Sequence, residues 1–132
     1  MNFKHLFTLL LSCLLGTQLF AAKVTSQEGE FQKINNYYIK GDYLTAAKSI
    51  DVLIGKLSGD DLVIARAYFL KAKIQAAYGH FDDYNSAIDS GNKLLAKANA
   101  DQDKALYIKV LMEAADAYTA AGDYLQAEQT ME

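Results

Sequence analysis

The pattern Gly-Asp-Tyr-Leu-X-Ala occurs twice in this chain, at residues 41–46 and 122–127, and a looser copy begins at Gly79. The three glycines are 38 and 43 residues apart, and each lies between two segments in which apolar residues recur at helical spacing. Repeats of roughly 20 to 50 residues are typical of arrays built from one supersecondary unit. The pattern therefore predicts an all-α fold of stacked antiparallel helical hairpins.

Each repeat glycine is predicted to end the first helix of a hairpin. A residue without Cβ adopts the left-handed conformation that closes a helix at the least cost. Asp42 and Asp123 follow two of the glycines, where a carboxylate can accept hydrogen bonds from the free amides of the next helix. We interpret the acidic pairs 60–61 and 82–83 in the same way, as helix-start residues rather than as catalytic or cation-binding carboxylates.

The copy that begins at Gly79 is the least regular of the three. If Tyr84 and Ala87 correspond to Tyr43 and Ala46, this turn contains a few extra residues. Its first helix also carries Lys71 and Gln75 at positions where apolar residues are expected, and the rotation of that helix about its axis therefore does not follow from the pattern.

The third copy resembles the tetratricopeptide repeat. The residues at that family's helix-contact positions are Leu111, Ala114, Ala115, Tyr118, Gly122, Asp123, Tyr124 and Ala127. The resemblance spans about residues 28–132 and implies a short α-solenoid of about two and a half to three repeats. The glycine spacing exceeds the family's usual period of about 34 residues, which indicates a long-helix variety. An unrelated array of helical hairpins would show a similar packing pattern.

The first 22 residues have the pattern of a secretory signal peptide. Lys4 and His5 precede an apolar run, and the segment ends in the small residues Ala21 and Ala22. The run is shorter than the roughly 20 apolar residues that cross a bilayer. The sequence thus predicts an exported protein, periplasmic or secreted, with a helical repeat domain at residues 23–132.

Cys13 introduces an alternative form of export. Together with Leu10, Leu11 and Ser12 it resembles a lipoprotein processing box, in which Cys13 would be lipidated and would anchor the chain to a membrane. Cys13 is the only cysteine of the sequence. A chain cleaved after residue 22 would therefore have neither disulfides nor thiolate metal sites.

The charge and the motifs exclude several classes of function. The sequence has 16 acidic and 13 basic residues, a balance that argues against nucleic-acid binding. It contains no phosphate-binding glycine loop, no paired-histidine metal helix and no nucleophile elbow. His80 is the one histidine beyond the predicted leader, and it falls in a turn. We expect no enzymatic activity, no cofactor and no metal.

The resemblance implies a protein or peptide partner, held in a groove lined by the first helix of each hairpin. The corresponding positions in this chain are Asn35, Tyr38, Arg66, Phe69, Lys73, Lys109, Met112, Asp116 and Thr119. Among them Arg66, Lys73 and Lys109 would form a basic strip suited to an acidic peptide or a terminal carboxylate.

Two functions are compatible with these features. The first is an exported scaffold or adaptor for protein–protein interaction. The second is the extracytoplasmic sensing segment of a longer membrane-anchored kinase or cyclase. The apolar stripe of the third repeat is expected to be left partly uncovered, and we expect more repeats or a partner to cover it.

Overall fold

The computed structural model describes residues 27–132, which form six helices and no strand. The predicted all-α class is confirmed. The helices are α1 (27–39), α2 (Tyr43–Lys56), α3 (Asp61–Tyr78), α4 (Phe81–Lys97), α5 (Lys104–Ala120) and α6 (Tyr124–Met131). The chain divides into two units, residues 1–33 and 34–132. The predicted signal peptide, including Cys13, lies outside the described residues.

Helix α3 is the centre of the unit formed by residues 34–132. It packs against α2, α4 and α5, and α5 also packs against α6. Because α3 has neighbours on several sides, ten of its residues are buried, including polar Lys73 and Gln75. A helix that is buried on most of its circumference has no single apolar face, and this explains why its rotation could not be read from periodicity.

The three glycine turns share one backbone geometry. Gly41, Gly79 and Gly122 have φ angles of 79°, 84° and 81°. In each turn the glycine N–H donates to a carbonyl three residues back, at 3.0 to 3.1 Å, and the next N–H donates to a carbonyl five residues back, at 2.9 Å. This pair of bonds is the Schellman motif, which satisfies free carbonyls at the end of a helix. The predicted role of the three glycines is confirmed.

The predicted helix caps are confirmed at the first and third turns. Asp42 Oδ1 accepts from the amide of Thr45 and Asp123 Oδ1 accepts from the amide of Gln126, both at 3.2 Å. Of the two acidic pairs, Asp60 caps α3 through the amide of its second residue, at 3.0 Å. The pair 82–83 lies within the first turn of α4 and provides no cap bond.

The predicted insertion after Gly79 is wrong. His80 is the N-cap residue and α4 begins at Phe81, the same spacing with which α2 and α6 follow their glycines. Tyr84 therefore occupies the buried position that Ala46 and Ala127 hold in the other two hairpins. The sequence alignment failed because it matched the aromatic residue Tyr84 to an aromatic position, whereas the turn geometry assigns that position to Phe81.

Tyr84 is larger than the alanines at the equivalent positions of the other two hairpins, and Gly91 follows it two turns later in α4. Gly91 is buried, and a Cβ built on it would lie 2.8 Å from Cε1 of Phe69. The ring of Phe69, which is 0% exposed, thus rests directly on the backbone of α4. The close α3–α4 approach depends on the missing side chain at this position.

We expect Gly79→Ala to lower the free energy of unfolding by about 1–2 kcal/mol, because alanine is strained in the left-handed conformation. Gly29→Ala is the matched control, since Gly29 lies within α1 and an added Cβ would contact nothing. That substitution should be stabilising, by up to about 1 kcal/mol, through helix propensity. Chemical denaturation checks both values, and equal effects of the two substitutions would contradict the role of the turn.

Candidate functional site

A buried lysine joins the first helices of the three hairpins. Lys73 of α3 donates from Nζ to Asn35 Oδ1 of α1 at 3.1 Å. The same ammonium lies 4.7 Å from the ring centroid of Tyr38 and 3.7 Å from Glu113 Oε1 of α5. We call these four residues the Lys73 cluster. Its contacts show that residues 34–39 of α1 lie beside α3, and α3 beside α5.

Electrostatics in the Lys73 cluster are governed by burial. Burial raises the pKa of Glu113, and the positive charges of Lys73 and Arg66 oppose that rise without cancelling it. Asp116 contributes a further rise through charge repulsion. Burial also raises the pKa of Tyr38, assisted by Tyr43 and by the carboxylates of Asp116 and Glu113. The Lys73 cluster therefore contains a structural ion pair, Lys73–Glu113, in which the carboxylate of Glu113 is poorly solvated.

The hydrogen-bonding capacity of buried side chains is used internally. Among residues 27–132, every fully buried side-chain nitrogen or oxygen has a hydrogen-bond partner. Gln75, which the sequence pattern left unexplained, is joined to His80 Nδ1 at 3.2 Å, and Lys71 pairs with Asp51 at 2.9 Å. Lys71 and Gln75 thus both make contacts within the fold.

The nine predicted groove residues separate into three groups. Phe69 and Lys73 are buried, at 0% and 7% exposure, and neither is accessible to a partner. Phe69 is a core residue because its ring fills the space above Gly91. The half-buried residues are Asn35, Tyr38 and Arg66, and the exposed residues are Lys109, Met112, Asp116 and Thr119.

The predicted basic strip is not present as an exposed row of cations. Lys73 is paired with Glu113, and Asp116 lies close enough to influence the pKa of that carboxyl. Sequence reasoning missed Glu113, although it follows Lys109 by four residues and precedes Asp116 by three, the spacings that bring side chains together on a helix. The region has mixed charge, and an exclusively acidic ligand is no longer favoured.

Apart from Lys104 at its first position, which is also exposed, the exposed residues of α5 form a continuous row along one face of the helix. We call this row the α5 stripe. It consists of Ala105, Ile108, Lys109, Met112, Asp116 and Thr119. Ile108 and Met112 are large apolar residues that are 55% and 52% exposed. Such residues on one helix face are a candidate contact surface for another protein.

The α5 stripe differs in exposure from the corresponding residues of α3. Counted back from their turn glycines, Ala65 and Phe69 of α3 correspond to Ile108 and Met112 of α5. On α3 these residues are 0% exposed and belong to the same core cluster as Val110 of α5. The corresponding face is thus covered by a helix in one repeat and is open to solvent in the next.

A depression lies between the α2–α3 and α4–α5 connections. It encloses about 460 Å³, and its lining includes Asp60, Asp61 and Asp103. Asp60 and Asp103 are helix caps, because each accepts a hydrogen bond from a backbone amide in the first turn of α3 or α5.

Within residues 27–132 there is no group of three His, Cys, Asp or Glu residues arranged to hold a metal ion. No helix in this part of the chain is both long enough and apolar enough to span a bilayer.

Over residues 27–132, the fold and the α5 stripe define an all-α arrangement of helical hairpins in which one face of α5 is open to solvent. Comparisons with protein-family models, curated proteins and solved structures found no match to the chain.

Proposed function

We propose that this chain is an exported helical-repeat protein of the tetratricopeptide type that acts as a scaffold or adaptor. It would bind proteins or peptides through the α5 stripe. The observation that carries the proposal is the exposure of Ile108 and Met112 on a helix face whose counterpart on α3 is covered by a packed helix. The repeated Schellman turns and the predicted leader of residues 1–22 support the repeat class and the export, respectively.

A helical partner suits this surface. The counterpart face on α3 is packed by α4 and α5, so helix-to-helix contact matches its spacing of side chains. Recognition of a helix by apolar residues at spacings of three and four is a common mode of peptide binding. Burial of the exposed half of each of these two side chains, Ile108 and Met112, would contribute about 1 kcal/mol to the free energy of binding.

The neighbouring charges would orient the partner. Lys109 and Asp116 lie on either side of Met112 and are exposed. Opposite charges that flank an apolar anchor favour one direction of binding over the other. The buried ionisable groups Lys73 and Glu113 pair with each other and are not part of this surface.

We expect Met112→Asp to reduce the recovery of partner proteins by about tenfold, since a charge at the centre of the stripe would be buried in any complex. The experiment uses the full chain with an affinity tag at its C-terminus, recovered from the exported fraction. Its intact mass tests removal of residues 1–22 or a lipid on Cys13. Mass spectrometry compares the proteins recovered with the wild-type and variant chains.

Val52→Asp is the matched control for this experiment. Val52 lies on α2, is 58% exposed and is outside the α5 stripe. The control chain should recover the same partners as the wild type, and circular dichroism should show both variants folded. Equal recovery by the Met112 and Val52 variants would refute binding at the α5 stripe.

A further inference from the structure

We draw no further inference here: the strongest candidate, the group of exposed aromatic rings beside the second and third glycine turns (Tyr78, Phe81 and Tyr124), carries no proposal because nothing in the structure shows what covers it.

Discussion

Lys73→Met is expected to lower the free energy of unfolding by about 3 kcal/mol, the largest effect predicted for this chain. The substitution leaves Glu113, whose side chain is 17% exposed, without the ammonium 3.7 Å away. Loss of one partner of a buried ion pair leaves an uncompensated charge in a poorly solvated place. Chemical denaturation at neutral pH measures the change.

Two control variants separate this cause from the loss of a long side chain. Lys71→Met removes another lysine from α3, but its partner Asp51 is 56% exposed, so the expected cost is below about 1 kcal/mol. The double variant Lys73→Met with Glu113→Leu removes both charges and should unfold within about 1 kcal/mol of the wild type. Similar costs for Lys71→Met and Lys73→Met would contradict the assignment of a buried pair.

The cost of Lys73→Met should also depend on pH. A carboxyl whose pKa is raised by folding adds stability below its unfolded pKa, and that stability is lost as the pH rises through the folded pKa. Burial raises the pKa of Glu113 and Lys73 lowers it, so the substitution raises the pKa further. The variant should therefore lose less stability when the pH falls from neutrality towards 4.5, the ordinary value for a glutamate. A pH-independent difference between variant and wild type would contradict this mechanism.

Gly91→Ala is expected to destabilise the protein by about 1–2 kcal/mol, although alanine is the better helix former by about 1 kcal/mol. The new Cβ would lie 2.8 Å from Cε1 and 2.9 Å from Cζ of Phe69. That ring is fully buried, and the close packing of protein interiors limits how far it can shift. Thermal and chemical denaturation check the sign and the size of the effect.

Gly55→Ala is the matched control for this substitution. Gly55 lies within α2, is exposed, and an added Cβ would contact nothing, so alanine should stabilise by up to about 1 kcal/mol. A second test makes the substitution in a Phe69→Leu chain, whose smaller side chain leaves room for the methyl group. There Gly91→Ala should be neutral or stabilising. An unchanged cost in that background would show that Phe69 is not the cause.

The helical hairpins and their turns could be predicted from the sequence because the causes are local. A left-handed glycine and a capping carboxylate act on amides within a few residues along the chain. Gly41, Gly122, Asp42 and Asp123 therefore have the roles that their spacing predicts. Of the predicted groove residues, the four on α5 are exposed, and their role in binding a partner stays a prediction.

The remaining features were decided by contacts between residues that are far apart in sequence. Lys73 is buried because Asn35 and Glu113 come from two other helices, and Phe69 is a core residue because Gly91 brings α4 against it. The sequence by itself determined the helices, the turns that join them and the caps that start them. Only the tertiary structure decided the rotation of α3, since a helix packed on several sides takes its orientation from the combined fit of its neighbours.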